Sequence, residues 1–109
     1  RLLRTMHAQH KPIGALCIAP AVVACVLGRE AQPVLTIGDD QATAGALAAM
    51  GAVHRESPVD RCVIDERDRI VTAPAYMYDA RIADVAKGIR AVVGALLAML
   101  DKQPAGGAR

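Results

Sequence analysis

The sequence contains no phenylalanine or tryptophan, and its only aromatic side chains are Tyr76 and Tyr78. It has no run of basic residues: positive and negative side chains are mixed along the chain, and the net charge is +2. Without a basic stripe or an aromatic stacking platform, the chain lacks the usual features of a nucleic-acid-binding protein. Much of its 53% apolar content is alanine, which buries little surface. The core must therefore be built from a small number of larger aliphatic side chains.

Long hydrophobic runs are also missing. The longest apolar stretch, residues 91–100, is too short to span a membrane, and no stretch has the order of regions found in a secretory signal peptide. The three cysteines are odd in number and form no C-x-x-C pair, which argues against a disulfide framework and a zinc site. We therefore expect a cytoplasmic protein with reduced thiols, no cofactor, no metal, and neither nucleic acid nor membrane as a partner.

Short apolar runs alternate with helical patterns along the chain. Strands are predicted at residues 13–16, 33–37, 53–54, 61–64 and 69–72. Helices are predicted at residues 1–9, at 18–27 with a stop at Gly28, from Asp39 or Asp40 to a stop at Gly51, and at 79–100. This alternation is typical of an α/β fold in which helices cover both faces of a parallel sheet. Two or three parallel strands seldom form an independent unit, so we expect the sheet to be larger than this chain.

The two ends of the sequence carry separate expectations. The chain opens at Arg1 inside a helical pattern, which is the pattern expected of a truncated N-terminus. Residues 101–109 contain proline and two glycines and are predicted to form a flexible tail. If partner strands are missing, the exposed sheet edge should cause association or partial unfolding.

One stretch, residues 14–20, combines a strand, a cysteine and a helix start. The apolar strand ends at Cys17, and the helix begins directly after it. This order is typical of a nucleophile elbow, a sharp turn that lifts its side chain above the carboxyl edge of a sheet. The small residues that such a turn needs are present as Ala15 and Ala19. We predict Cys17 as the catalytic nucleophile, with the helix N-terminus favouring its thiolate and the backbone N–H of Ile18 stabilising an oxyanion.

The alternative role for Cys17 is that of a buried core thiol, because free cysteine is among the most buried residue types. For Cys25, in a helical pattern, and Cys62, in a strand pattern, the structural role is preferred. A thiolate catalyst usually works with an acid or base, and His54 is the one candidate that follows a strand. A lone histidine is more often structural, so both roles stay open for His54.

Other polar and aromatic residues have plain structural explanations beside functional ones. His7 and His10 are three positions apart, a spacing that permits metal binding, but no third ligand accompanies them. Asp39-Asp40 follows a strand and is predicted either to line the cleft or to cap the next helix. Tyr76 and Tyr78 follow the last strand, where they either border the pocket or cover the sheet edge.

Four segments together resemble the ElbB-type proteins, which are called isoprenoid biosynthesis glyoxalases. The segments are residues 11–20 (KPIGALCIAP), 35–38 (LTIG), 50–54 with 57–60 (MGAVH and SPVD), and 71–77 (VTAPAYM). They occur in this order and cover nearly all of residues 1–100. The resemblance implies the PfpI-like branch of the class I glutamine-amidotransferase-like superfamily, with a flavodoxin-like sheet. It also implies that residues 1–100 are the C-terminal half of such a domain.

The resemblance further implies that Cys17 corresponds to the elbow cysteine of that family. The N-terminal half, which carries a first strand, a glycine-rich loop and the acidic partner of the cysteine, would then be absent. At Glu56-Ser57 the sequence departs from the family, where a small residue and a cysteine are expected before Pro58. This difference argues against an essential thiol at position 57 and leaves Cys17 unaffected.

The activity that the resemblance implies is a glutathione-independent glyoxalase reaction on small dicarbonyls, converting glyoxal to glycolate. A non-catalytic stress or redox-sensing protein with an oxidisable Cys17 is the main alternative. An amidotransferase-like hydrolase is a third, against which the absence of a histidine after Cys17 counts. The expected partners are a small aldehyde or dicarbonyl substrate and, as the one assembly considered, a second copy in a homodimer.

Overall fold

The computed structural model describes residues 1–101 and has an α/β fold with four α-helices and five β-strands in that range. Of the tail predicted at 101–109, only Asp101 is described, as the residue that ends the last helix; the remainder lies outside the described residues. In chain order the elements are α1 (Leu2–Ala8), β1 (Ile13–Leu16), α2 (Ala19–Ala31), β2 (Val34–Leu35), α3 (Gln41–Ala49), β3 (Val53–His54), β4 (Val63–Asp65), β5 (Ile70–Ala73), a 3₁₀ turn (Ala75–Met77) and α4 (Ile82–Leu100).

The strands form a three-stranded sheet in the order β1-β5-β4 and a two-stranded parallel pair of β2 and β3. β1 and β5 run parallel, with Leu16 opposite Ala73, as the sequence predicts for the strand that leads to Cys17. β4 is antiparallel to β5, so the three-stranded sheet is mixed and not all parallel. The charged turn after β4 reverses the chain, because a carboxylate oxygen of Asp65 accepts the backbone N–H of Asp68 (3.0 Å).

Two buried side chains join the strand pair to the larger sheet. The Thr36 N–H donates to Oγ1 of Thr72 on β5 (3.0 Å), and the Val34 N–H donates to Oδ2 of Asp65 on β4 (2.8 Å). Val34 is hydrogen-bonded to Asp65, which pairs with Ile70 at the start of β5, whereas Thr36 is hydrogen-bonded to Thr72 further along β5. Because the residue numbers increase together on the two strands, β2 runs in the same direction as β5. The carboxyl ends of β1, β2, β3 and β5 therefore lie at one edge of the structure.

Helices cover both faces of the sheet, as the sequence predicts. The alternation along β5 shows this, because Ile70 packs among side chains from α2 and α3, whereas Val71 packs with Val92 and Met99 of α4. Ile70 and Val71 are both fully buried. The principal core on the α2 side consists of Ile13, Ala15, Val23, Ala24, Leu27, Leu35, Ile37, Leu47, Ala52 and Ile70. Within residues 1–101 no helix is long and apolar enough to cross a membrane.

The predicted stop of α2 at Gly28 is wrong. The helix continues to Ala31 and ends at Gln32, which adopts a left-handed conformation with φ 51°. Gly28 serves packing instead, because a Cβ at this position would lie 2.1 Å from the Met50 carbonyl oxygen. The glycine therefore allows α2 to approach the end of α3 closely, and a left-handed residue four positions later, Gln32, takes the role of the C-cap.

Candidate functional site

Cys17 and Ile18 form the two-residue turn between β1 and α2, and Ile18 is the N-cap of α2. The backbone of Cys17 has φ 62°, in the left-handed region that residues with a Cβ seldom adopt, at a cost of about 1–3 kcal/mol. The Cys17 N–H donates to the Ala73 carbonyl oxygen of β5 (3.0 Å), which continues the β1–β5 ladder to the turn. Cys17 is partly exposed as a residue, so the structure does not bury it fully in the core.

A second strained residue follows shortly after the end of the neighbouring strand, β5. Leu16 pairs with Ala73, so Cys17 comes opposite Pro74, and the next residue, Ala75, has φ 45°. Within residues 1–101 the backbone N–H of Ile18 makes no hydrogen bond, and Ile18 precedes the first turn of α2. Cys17 therefore directly precedes a helix N-terminus, and the unsatisfied Ile18 amide beside it is available to donate to a negatively charged group.

A cleft of about 700 Å³ opens at the same carboxyl edge of the strands. Asp39 follows β2, Glu56 and Ser57 follow β3, and Tyr78 and Asp79 follow the 3₁₀ turn after β5. The Tyr78 hydroxyl donates to the Ser57 carbonyl oxygen (2.7 Å), which ties the chain after β5 to the chain after β3. Cys17 itself does not line this cleft.

Contacts between Gly38, Tyr78 and Pro74 connect the cleft to the Cys17 turn. Gly38 has φ 99°, and a Cβ there would lie 3.0 Å from Cε2 of Tyr78 and 3.2 Å from Cβ of Pro74. Pro74 is opposite Cys17 in register, so Gly38 lies against the residue that faces the Cys17 turn, and the next residue, Asp39, lines the cleft. Asp39 is therefore connected to the Cys17 turn through Gly38 and Pro74.

The electrostatics of the cleft are set by its carboxylates. Burial raises the pKa of Tyr78, and the negative charges of Asp39 and Glu56 raise it further, so the phenol remains a hydrogen-bond donor at neutral pH. Asp40, the alternative to Asp39 in the sequence analysis, caps α3. Its carboxylate accepts the Thr43 hydroxyl and the Thr43 backbone N–H, and these hydrogen bonds hold its pKa below the usual value.

His54 is not brought to Cys17 by hydrogen bonding or strand pairing. It ends β3, which pairs with β2, and β2 is linked to β5 rather than to β1. Two strands therefore come between the strand of His54 and the strand of Cys17. The Nε2 atom of His54 is buried and has no hydrogen-bond partner among residues 1–101. This position argues for a structural role more than for an acid–base role at the sulfur.

The other candidate residues have separate locations. His7 donates from Nε2 to the Asp68 carboxylate (2.9 Å) at the opposite, amino edge of the sheet. Cys25 is exposed on α2, and Cys62 is partly buried, which raises the pKa of its thiol. Among residues 1–101 no group of three or more His, Cys, Asp or Glu side chains is arranged to hold a metal ion. Tyr76 is largely exposed and does not line the cleft.

Sequence reasoning overlooked Glu56, Ser57 and Asp79 as parts of the cleft. The signal for them was present, since each follows a strand or turn at the carboxyl edge, the edge where open α/β sheets bind ligands. Ser57 was considered only as a departure from the expected cysteine, and the structure buries it, 3% exposed, beneath Tyr78.

Comparison with known proteins identifies relatives with matching sequence and fold. The chain is 34% identical to the ES1 protein homolog, mitochondrial, of Rattus norvegicus, over 94% of this chain and 41% of that protein. It is 35% identical to the human glutamine amidotransferase-like class 1 domain-containing protein 3, mitochondrial, over 94% of this chain and 40% of that protein. No family model matches the chain.

The solved structures provide a corresponding match. The fold superposes with a TM-score of 0.86 on the crystal structure of an isoprenoid biosynthesis protein with an amidotransferase-like domain from Ehrlichia chaffeensis, at 35% identity. The match covers 92% of this chain and 46% of that one. The chain therefore has an amidotransferase-like, flavodoxin-like fold. Its homologues are glutamine amidotransferase-like class 1 domain proteins, and it spans less than half the length of each relative named here.

Proposed function

We propose that this chain belongs to a cysteine-dependent, glutathione-independent glyoxalase-like enzyme of the ElbB type that acts on small dicarbonyls. The observation that carries the proposal is the left-handed backbone of Cys17, φ 62°, between a buried parallel strand and a helix N-terminus. A strained strand-to-helix turn presenting a nucleophile is the arrangement of an elbow. The strain has no evident packing purpose, since the thiol is not part of either hydrophobic core.

In the proposed reaction the Cys17 thiolate adds to one aldehyde carbon of glyoxal and forms a C–S bond. The resulting oxyanion is stabilised by the Ile18 N–H and then takes a proton to give a hemithioacetal. A base removes the proton from the carbon attached to sulfur, and a proton is returned to the neighbouring carbon, which leaves a thioester of glycolic acid. Water cleaves the C–S bond, releasing glycolate and regenerating the thiol. The net reaction consumes one glyoxal and one water, and it needs no oxidant, reductant or cofactor.

The base in this scheme is not a residue that is hydrogen-bonded to Cys17. Asp39 is connected to the Cys17 turn through Gly38 and Pro74, whereas His54 lies beyond β5 and β2. In keeping with the resemblance, we propose that residues 1–100 are the C-terminal half of a class I glutamine-amidotransferase-like domain and that the acidic partner of Cys17 comes from the other half. Two features support this: β1 is paired on one side only among the described strands, and its Gly14 is exposed.

A redox-sensing protein is the second candidate, and one observation favours it. Within residues 1–101 no side chain that could serve as an acid or base is hydrogen-bonded to the partly exposed Cys17. In this scheme hydrogen peroxide oxidises the thiolate to a sulfenic acid and is itself reduced to water, with no turnover of an aldehyde. A cytoplasmic location stays a prediction in either scheme, and the names of two relatives place those proteins in mitochondria.

The first experiment compares alkylation of the three thiols by iodoacetamide between pH 5 and 9, read residue by residue by mass spectrometry. We expect Cys17 to react at lower pH than exposed Cys25, which lies in the middle of a helix, and than Cys62, whose pKa burial raises. If the pH dependence of Cys17 matches that of Cys25, the turn does not activate the sulfur and both candidate functions fail.

The second experiment separates the two functions. Glycolate formed from glyoxal is measured for the chain, and for any longer form of the protein, with Cys17→Ser and the matched control Cys25→Ser. The glyoxalase proposal expects turnover that Cys17→Ser abolishes and Cys25→Ser preserves. Dimedone labelling of Cys17 after peroxide, without glycolate formation in the longest form, would support the sensor and reject the enzyme.

A further inference from the structure

Two strained residues lie on neighbouring strand ends at the carboxyl edge. Cys17 has φ 62° directly after β1, and Ala75 has φ 45° shortly after β5. A left-handed residue with a Cβ persists only where the surrounding structure holds it in that conformation. The contacts that hold this pair therefore also hold the backbone that presents the thiol.

The Cys17 turn is supported by β5, the one described strand with which β1 pairs. The Cys17 N–H donates to the Ala73 carbonyl oxygen (3.0 Å), and among residues 1–101 no backbone hydrogen bond joins the two segments beyond this point. Pro74, opposite Cys17, is fully buried, and its φ of −73° and ψ of −28° end the extended conformation of β5. The position of the Cys17 turn therefore depends on how residues 73–75 are held.

Tyr78 fixes the far end of this segment. A single 3₁₀ turn joins Pro74 to Tyr78, and in it the Met77 N–H donates to the Pro74 carbonyl oxygen (2.9 Å). The Tyr78 hydroxyl donates to the carbonyl oxygen of Ser57 (2.7 Å), a residue that is 3% exposed. This hydrogen bond attaches the chain after β5 to the chain after β3, a part of the fold that is distant in sequence.

The Tyr78 ring makes a second contact, with Gly38. A Cβ at position 38 would lie 3.0 Å from Cε2 of Tyr78 and 3.2 Å from Cβ of Pro74, so the ring and the proline pack against the same open side of the glycine. Gly38 is itself held, because its N–H donates to Oγ1 of the fully buried Thr36 (3.0 Å). Tyr78 and Pro74 therefore share one fixed point of the backbone.

The Tyr78 hydroxyl remains a hydrogen-bond donor at every pH at which a thiol is commonly labelled. Burial raises the pKa of the phenol above its ordinary value, and the negative charges of Asp39 and Glu56 raise it further. A phenol that keeps its proton keeps its hydrogen bond to Ser57. The contact is therefore in place at the pH values at which a thiolate forms.

We propose that Tyr78 is a positioning residue for Cys17, and that it holds residues 73–75 through its hydrogen bond to Ser57 and its contact with Gly38. Those residues in turn hold the left-handed turn that places Cys17 beside the Ile18 amide. Tyr78 acts through the backbone and takes up no proton in the reaction. This inference rests on the proposed function, in which the turn activates the thiol.

The test is the pH dependence of alkylation by iodoacetamide in Tyr78→Phe, read by mass spectrometry at Cys17 with Cys25 of the same molecule as the reference. The substitution removes only the hydroxyl. We expect the rate at Cys17 relative to Cys25 at pH 7 to fall about threefold or more, and the pH profile of Cys17 to move towards that of Cys25. Tyr76→Phe is the matched control, because Tyr76 lies in the same turn but is 58% exposed and does not line the cleft.

Two further variants separate positioning from a general loss of stability. Asp68→Asn weakens the contacts of Asp68 with His7 and Arg67 at the amino edge and should leave the ratio of Cys17 to Cys25 unchanged. Gly38→Ala sets a Cβ against the Tyr78 ring and should lower the ratio, as Tyr78→Phe does, by an independent route. Circular dichroism and urea unfolding establish that each variant is folded under the labelling conditions.

The outcomes distinguish this proposal from the proposed function. If Cys17 is activated in the parent and its profile is the same in Tyr78→Phe, the positioning role is wrong and the proposed function stands. An equal effect of Tyr76→Phe or Asp68→Asn would also overturn the positioning role, because the change would then report a general loosening of the fold. A parent in which Cys17 reacts like Cys25 would reject both.

Discussion

Gly28 on α2 provides a sharp test of how the helix that begins at Cys17 is packed. A Cβ at this position would lie 2.1 Å from the Met50 carbonyl oxygen and 2.9 Å from the Met50 carbonyl carbon. Real Cβ atoms do not approach backbone atoms this closely, so Gly28→Ala requires α2 and the end of α3 to separate by roughly 1 Å, and overpacking of this kind costs about 1–3 kcal/mol. The neighbouring Gly51, φ 102°, contacts Gly28 in turn and leaves no flexible side chain to move aside.

The magnitude follows from two opposing effects. Replacing glycine by alanine inside a helix stabilises it by about 1 kcal/mol, because alanine loses less backbone entropy on folding. Because the clash at Gly28 is with a backbone carbonyl, we place its cost at the upper end of the overpacking range, about 3 kcal/mol, which leaves a net loss of about 2 kcal/mol. Gly45 on α3 supplies the matched control, since it also lies inside a helix but has nothing within 4 Å of its Cβ position. Gly45→Ala should therefore stabilise the protein by about 1 kcal/mol.

The assay is urea unfolding followed by circular dichroism, at one protein concentration for all variants. With a slope of about 1–2 kcal/mol per molar urea, Gly28→Ala should lower the midpoint by about 1–2 M, and Gly45→Ala should raise it by about 0.5–1 M. The same substitution is expected to change stability in opposite directions at two glycines that both lie inside helices. The comparison therefore tests the packing at Gly28 and not helix propensity. If Gly28→Ala is as stable as the parent, α2 and α3 are not in the close contact described here.

Two further predictions concern polar groups that link elements of the fold. The Asp68 carboxylate, 8% exposed, loses solvation on burial, but its hydrogen bonds with His7 and Arg67 outweigh this effect and hold its pKa below the usual value. The stabilisation by the Asp68 carboxylate is therefore complete above the unfolded pKa of about 3.9 and is lost as the pH falls through the lower folded pKa. In urea unfolding at pH 7, Asp68→Asn should lower the free energy of unfolding by about 2 kcal/mol. This difference between variant and parent should shrink below about pH 4. Thr72→Val should cost about 1–3 kcal/mol in the same assay, because it leaves the buried Thr36 N–H without its acceptor, and an unchanged midpoint would contradict this account.

Local patterns in the sequence predicted most of the elements and the turn that holds Cys17. The strand at residues 13–16, the cap of α3 at Asp40 and the long amphipathic α4 are each encoded by neighbouring residues, and each is confirmed. The end of α2 was predicted wrongly, because glycine serves either as a helix stop or as a point of close approach. Only the position of Met50 in space distinguishes these two uses of Gly28.

The assembly of the site depended on contacts between residues distant in sequence. Glu56, Tyr78 and Asp39 meet in one cleft because β2 runs with β5, and this direction is set by the hydrogen bond of Thr36 to Thr72. The strand order likewise separates His54 from Cys17, although both follow strands in the sequence.

The sequence by itself determined what depends on periodicity and on turn chemistry: the α/β class, the helix and strand order, and a cysteine at a strand-to-helix junction. Tertiary structure alone decided which strand ends adjoin that cysteine, which glycine is a contact point, and which tyrosine is hydrogen-bonded across the cleft. The physical reason is that secondary structure follows from interactions within a few residues. Strand order, helix approach and exposure follow from packing among residues tens of positions apart, and one-dimensional patterns do not specify that packing.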